Sequence, residues 1–139
     1  MTPRVISLDD LCIHQVCLSG TCDFASSVGV LVDAQIKRTA IWNPMVEAVG
    51  EAEALSIWKD SGLVADSLCA AELGAGSEHL RAMLDRADSF DARTVVMITG
   101  GFGPNAAAGC DWQTIDDARA ELVDGLAEAD ALARPYNTR

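Results

Sequence analysis

Residues 38–70 constrain the fold more than any other stretch of this 139-residue chain. A short apolar run over residues 39–42 is followed by apolar side chains that recur at three-residue steps, as in an amphipathic helix. These side chains are Val46, Val49, Ala52, Leu55 and Trp58. The pattern breaks at Gly62, where a helix would end, and a second apolar run follows over residues 64–68. Two strand-like runs joined by a helix predict a β-α-β unit with parallel strands.

The rest of the chain repeats this alternation. The predicted strands are residues 4–8, 38–42, 64–68 and 93–99, and the predicted helices are residues 23–35, 50–61, a segment beginning at Ser77, and residues 111–133. Thr21 or Asp23 is the expected N-cap of the first helix, and Ser77 that of the third. The run RTVVMIT over residues 93–99 is continuously apolar in its centre, which is typical of a strand buried on both faces. The sequence therefore predicts an α/β fold with four parallel βα units in one domain, residues 1–139.

Composition excludes several classes of function. A net charge of −11 disfavours binding to nucleic acid, because the phosphate backbone would be repelled. No apolar run approaches the roughly 20 residues of a membrane span, and the N-terminus lacks a signal-peptide pattern. Five cysteines, an odd number, suit thiols in a reducing compartment. We therefore expect a cytoplasmic protein that has no structural disulfides and binds neither membrane nor nucleic acid.

Several short segments, taken in order and spacing, point to a family. They are IW (41–42), VG (49–50), WKDSGL (58–63), DSLCA (66–70), VVMITGG (95–101) and ELVDGLAEADALA (121–133). Together they resemble the first half of the sugar phosphate isomerase/epimerase group of xylose-isomerase-like (β/α)8 barrels. The resemblance implies a half (β/α)8 barrel, since the family's chain continues through four more βα units.

The resemblance also bears on cofactor and substrate. In the family, a catalytic divalent metal is held by side chains at the ends of the later strands, which have no counterpart here, so neither a metal nor another cofactor is expected. Relatives commonly carry basic residues after the Ile-Trp and Ser-Leu-Cys segments. This chain has Asn43-Pro44 and Ala70-Ala71-Glu72 at these places, which argues against a sugar phosphate substrate.

A half barrel leaves the inner face of its sheet and two strand edges uncovered. Two copies related by a two-fold axis would complete the core, so we expect an obligate homodimer. A different partner chain is the second possibility, and a fragment of a longer protein is the third.

Parallel α/β folds place ligands at the carboxyl ends of the strands. The residues predicted to lie at that rim are Asp9, Asp10, Cys12, His14, Trp42, Asn43, Cys69, Glu72, Gly100, Gly101 and Phe102. Each also has a structural interpretation: the aspartates as helix caps or a solvated strand end, Trp42 and Cys69 as core, and the glycine pair as a tight turn, not a phosphate cradle. A metal site among Cys12, His14, Cys17 and Cys22 is disfavoured, because no second ligand pair follows. The other histidine, His79, is expected at the surface.

The functional hypothesis is a metal-independent isomerase, cyclase or lyase acting on a small, mostly apolar molecule, such as a polycyclic secondary metabolite. His14, Asp10 or Glu72 would act as general acid or base. Trp42 and Phe102 would form apolar walls, Asn43 would donate a hydrogen bond to an oxyanion, and Cys69, Gly100 and Gly101 would contact the substrate. Two alternatives remain open: a non-catalytic half barrel that binds a ligand or a partner enzyme, and part of a metal-dependent sugar isomerase or epimerase.

Overall fold

The computed structural model of the protein describes residues 7–72, 75–98 and 114–136. Its strands are β1 (Cys12–His14), β2 (Arg38–Trp42), β3 (Val64–Glu72) and β4 (Val95–Ile98), and its helices are α1 (Phe24–Asp33), α2 (Asn43–Val49), α3 (Glu51–Ser61), α4 (Ser77–Ser89) and α5 (Ile115–Ala133). The four strands form one parallel sheet in the order β1-β2-β3-β4. This confirms the predicted fold class, four parallel βα units arranged as a half α/β barrel.

The first strand lies later in the chain than predicted. Where the end of that strand was expected, Ser7 precedes a 3-10 turn, Leu8–Asp10. The Asp10 carboxylate accepts hydrogen bonds from the Ser7 backbone N–H at 3.0 Å and from the Ser7 hydroxyl at 3.1 Å. The strand itself is Cys12–His14, paired with Arg38–Ala40 of β2. The aspartates therefore precede β1 and do not follow it, and residues 4–6 lie outside the described part of the chain.

The organising β-α-β unit is confirmed, since α3 (Glu51–Ser61) matches the helix predicted over residues 50–61, and a further helix, α2, precedes it. Gly50 ends α2 and begins α3 with φ of 92°, a backbone conformation that favours glycine. The run of apolar residues at three-residue steps spans both helices, so the sequence did not indicate that α2 is a separate helix. Gly62, in the left-handed conformation, ends α3 as expected.

The third strand is four residues longer than predicted. It continues to Glu72 and contains two register shifts, one between its pairings with Thr39 and Ala40 of β2, and one between Cys69 and Ala71 opposite β4. Such bulges insert an extra residue and re-aim the side chains beyond it. Ala65, Leu68 and Ala71 are buried in the core, so three-residue steps replace the usual alternation.

The core lies between the sheet and the helices. Phe24 of α1, Trp58 of α3 and Phe90 after α4 form an edge-to-face aromatic cluster, with ring centroids 5.9 to 6.4 Å apart. The helix predicted to begin at Ser77 is confirmed as α4, and its buried face consists of Leu80, Met83, Leu84 and Ala87. Its N-cap is Gly76, not Ser77. Asp23 caps α1, as one of the two expected residues.

The outer elements are less buried than the sequence suggested. In β4, Val95 and Met97 pack on the core, whereas Val96 and Ile98 are 37% and 45% exposed, so the strand is not buried on both faces. In α5, Ala118 and Ala129 are buried, but Ile115 and Leu126 are exposed. Among the described residues, no helix has the length and apolar character needed to cross a membrane.

Candidate functional site

The two faces of the sheet have different chemistry. Ile41, Leu68 and Ala71 point toward the helices, because all three belong to the core. Their chain neighbours Cys69 and Glu72 therefore point to the opposite, inner face. Trp42, at the carboxyl end of β2, packs partly against the core. His14 lies in register with Ala40 of β2, and its ring contacts the Trp42 indole. These residues define the candidate site, which we call the rim site: His14, Trp42, Cys69 and Glu72.

His14 is the best-defined member of the rim site. Its ring packs edge-on against the Trp42 indole, with centroids 5.8 Å apart and planes at 62°. Nδ1 accepts a hydrogen bond from the backbone N–H of Val16 at 3.1 Å, so in the neutral imidazole the proton lies on Nε2. Burial lowers the pKa of His14 below its usual value of 6.5. The side chain therefore offers a neutral Nε2–H donor near pH 7.

Gln15 links the carboxyl end of β1, which carries His14, to the carboxyl end of β2, which carries Trp42. The sequence analysis did not identify this residue. Its side chain is fully buried; Oε1 accepts from the Trp42 backbone N–H at 3.0 Å, and Nε2 donates to the Ser27 hydroxyl at 3.0 Å. Ser27 in turn donates to the Phe24 carbonyl at 2.7 Å. We call this chain of hydrogen bonds the Gln15 clip. It ties β1 to β2 and α1 directly beside the rim site.

Asn43 does not have the predicted role. Its side chain is buried, its amide donates to Glu47 at 2.9 Å, and its carbonyl oxygen accepts from the Arg86 guanidinium. Arg86 also pairs with Glu47 at 3.2 Å and with Glu51 at 3.0 Å. These contacts join α2 to α4, and because the Asn43 side chain is buried and bonded at both ends of its amide, we do not expect it to donate to a substrate oxyanion.

The acidic residues that were predicted to lie together at the rim are found at opposite ends of the strands. Glu72 is exposed at the carboxyl end of β3, on the inner face. Asp9 and Asp10 precede β1 and so lie at the amino ends of the strands, opposite the rim site. There the Asp9 carboxylate pairs with the ammonium of Lys37, the residue before β2, at 2.6 Å. Asp10 is therefore withdrawn as a catalytic partner of His14. The sequence had placed it after the first strand, and the structure places it before.

Strand geometry sets the separation of His14 and Glu72. His14 is level with Ser67 across two strands, and Glu72 lies five residues further along β3. Strand spacings of about 4.8 Å and rises of about 3.3 Å per residue put the two Cα atoms about 19 Å apart. Each side chain reaches about 5 Å, which leaves a gap of roughly 9 Å, on the scale of a small substrate. The two groups are too distant for a direct hydrogen bond and suitably placed to flank a small molecule.

A second polar group occupies the amino end of the inner face. Arg38 forms an ion pair with Asp66, whose second contact, Nε to Oδ2, measures 3.0 Å. Cys12 is exposed overall, but partial desolvation of its thiol, together with a hydrogen bond to the Asp66 carboxylate, raises the Cys12 pKa to about 11. Cys12 therefore begins β1, away from the rim where the sequence had placed it, as a poorly nucleophilic thiol.

Cys69 lies at the rim itself, buried, with its sulfur 3.7 Å from the Ser67 hydroxyl. Burial raises the pKa of this thiol as well. The described cysteines Cys12, Cys17, Cys22 and Cys69 are all free. Within residues 7–72, 75–98 and 114–136, no three His, Cys, Asp or Glu side chains come close enough together to hold a metal ion.

His79 differs from its expected surface position. It lies half-buried in the first turn of α4, and its Nε2 atom is buried without a hydrogen-bond partner in the described part of the chain. Gly100, Gly101 and Phe102, which were predicted to contact substrate, lie outside the described residues.

Comparison with known proteins places the fold and leaves the activity open. No family model matches the sequence, and no curated protein matches it. Among solved structures, the chain is similar to protein SMc04130 from Sinorhizobium meliloti 1021, with a TM-score of 0.80 and 25% sequence identity. The match covers 95% of this chain and 49% of that protein, so the chain spans about half its length.

Proposed function

We propose that the protein is an isomerase or lyase that moves protons by general acid–base chemistry on a small, mostly apolar carbonyl compound bound at the rim site. The observation that carries the proposal is the neutral, oriented imidazole of His14 on the inner face, at the end of the sheet where parallel α/β folds bind ligands. The proposed chemistry uses side chains alone and needs no metal ion.

His14 acts as the electrophile in this proposal. Its Nε2–H donates to the carbonyl oxygen of the substrate and stabilises the negative charge that develops there when a neighbouring carbon loses its proton. A neutral donor suits this role, because it does not need to lose a proton before each turnover. The bond from Val16 N–H to Nδ1 holds the ring in the required tautomer.

Glu72 acts as the base. Its carboxylate takes the proton from the carbon next to the carbonyl, and the same proton, or one exchanged with water, returns to a neighbouring carbon in an isomerisation. The gap of roughly 9 Å between the reach of Glu72 and that of His14 is of the size that this substrate fragment and its hydrogen bonds would span. Trp42 forms an apolar wall beside His14.

The proposal is tested by following exchange of substrate C–H for C–D. The protein is incubated in D2O with a panel of cyclic and aromatic ketones and hydroxyketones, and loss of the proton signal is followed by NMR. We expect Glu72→Gln to slow exchange by about 100-fold or more, and His14→Ala by a similar factor. His14→Gln should retain part of the rate, since its amide keeps an N–H donor. Glu128→Gln, an equal charge change on exposed α5, serves as the matched control.

Other outcomes of this experiment would replace the proposal. Exchange that is unchanged in Glu72→Gln and His14→Ala would contradict it. Exchange that requires an added divalent cation and stops with a chelator would favour the metal-dependent sugar isomerase or epimerase alternative. Binding of panel members without exchange would favour the non-catalytic half barrel.

We further propose that a second copy of the chain covers the inner face. Val96 and Ile98 expose apolar surface there, although burying it would be favourable. The similarity to half of a protein about twice as long supports a second unit of comparable size. A two-fold dimer would place two rim sites on one completed core.

A further inference from the structure

A groove lies beside the rim site, on the outer side of Trp42. One wall comes from the segment leading into α1, and the other from α2 and the start of α3. It encloses about 660 Å³, within the range of small-molecule sites. We call it the Trp42 groove, and it is separate from the acid–base pair proposed above.

The lining of the groove combines apolar side chains with two carboxylates. Phe24, Met45 and Val49 line it with buried or half-buried apolar surface, and the Trp42 indole forms one side. Asp23 and Glu53 supply two carboxylates. Among the described residues that line the groove, there is no lysine, arginine or histidine to neutralise them.

The two carboxylates differ in what they already bind. Asp23 uses Oδ1 to accept the Ser26 backbone N–H at 2.7 Å as the cap of α1, and this hydrogen bond lowers its pKa, so it is ionised at neutral pH. Glu53 lies exposed in the first turn of α3. A cationic head group between them would be attracted by both charges, and its apolar body would contact the indole and the apolar side chains of the lining.

From this combination we infer that the Trp42 groove binds an organic ammonium ion with an apolar body, recognised by Trp42, Asp23 and Glu53. The aromatic wall and the carboxylates together select for a cation over a neutral molecule of the same shape. An anionic molecule, such as a phosphate ester or a free carboxylate, would be repelled.

The test is the affinity for benzyltrimethylammonium, measured by NMR titration of the full chain. Its neutral isostere, neopentylbenzene, and the anion benzenesulfonate serve as comparison probes. We expect the cation to bind more tightly than both. Both variants, Asp23→Asn and Glu53→Gln, should fold normally, because asparagine can replace Asp23 as the helix N-cap and Glu53 is an exposed side chain. Each should weaken cation binding by about 2- to 5-fold, and Trp42→Leu by a similar factor.

Asp124→Asn on α5 makes the same change in net charge at an exposed position outside the groove. Cation binding weakened equally by Asp124→Asn and Glu53→Gln would overturn the inference, because it would reflect net charge alone. Equal affinity for the cation and the neutral probe, or no shift in signals of groove residues, would overturn it too. Since the readout is binding, it is independent of whether the rim site is catalytic.

Discussion

At the scale of single residues, His14 shows how one backbone hydrogen bond decides the chemistry of a side chain. The sequence identified this histidine as an acid or base, because a histidine near a strand end is a common proton carrier. The role that we propose is narrower, since Nδ1 is occupied by Val16 N–H and the proton of the neutral ring lies on Nε2. Local backbone geometry of this kind does not appear in a residue pattern.

The lowered pKa of His14 predicts a dependence of stability on pH. In the unfolded chain the imidazole titrates near 6.5, whereas burial lowers its pKa in the folded protein. As the pH falls below 6.5, the unfolded state takes up a proton that the folded state does not, so the free energy of unfolding decreases. Between about pH 7 and about pH 5, urea unfolding should show a steeper loss of stability for the wild type than for His14→Gln. Equal slopes for the two proteins would contradict the assignment.

Cys12 gives a second prediction at this scale, with its pKa raised from 9.0 to about 11. Two pH units correspond to a thiolate fraction about 100-fold lower below pH 9, so alkylation of Cys12 by iodoacetamide should be slow. Asp66→Asn removes a carboxylate that raises this pKa and leaves Arg38 nearby, so the reaction should become several-fold faster, although burial persists. Peptide mass spectrometry measures the rate, with Asp60→Asn on exposed α3 as the control. An unchanged rate in Asp66→Asn would show that Asp66 does not govern the thiol.

At the scale of elements, patterns that repeat were predictable and interruptions were not. The strand β2 and the helices α1 and α4 were identified from apolar spacing, and the cap of α1 was among the two residues expected. The start of β1 was misplaced, because three residues are too few to produce a period and the preceding apolar run looked more strand-like. The division of α2 from α3 at Gly50 was missed, because apolar spacing continues across it. The bulges of β3 depend on its neighbours and have no local signal.

The Gln15 clip is the element-scale feature with the sharpest test. Gln15→Met leaves the Trp42 backbone N–H unpaired in the interior, which should lower the free energy of unfolding by about 1–3 kcal/mol. Ser27→Ala leaves the Gln15 amide unpaired and should cost a similar amount. In the double variant, the Gln15 amide and the Ser27 hydroxyl are both absent. The loss of unfolding free energy should therefore be smaller than the sum of the losses in the two single variants. Strict additivity in urea unfolding would contradict a shared network.

At the scale of the whole molecule, the alternation of strands and helices fixed the architecture, and the chemistry of the inner face needed the structure. The sequence placed Asp10, Cys12 and Asn43 at the rim, and the structure moves the first two to the other edge and engages the third with Arg86. His14 and Glu72 remain on the inner face at the carboxyl ends, with Trp42 beside His14. Continuous apolar sequence in β4 suggested cover on both sides, yet Val96 and Ile98 are exposed. This uncovered apolar surface is the observation on which the proposed dimer depends.

The solution mass of the purified 14.7 kDa chain, measured by light scattering over a dilution series, tests this account most directly. A second copy that completes the sheet predicts twice that mass, persisting to low micromolar concentration, with circular dichroism of a folded α/β protein. Val96→Asp, which places a charge on the exposed inner face of β4, should abolish the dimer, whereas Val123→Asp on exposed α5 should leave it intact. A folded monomer at every concentration would contradict the account and indicate that a different partner, or further polypeptide, covers the inner face.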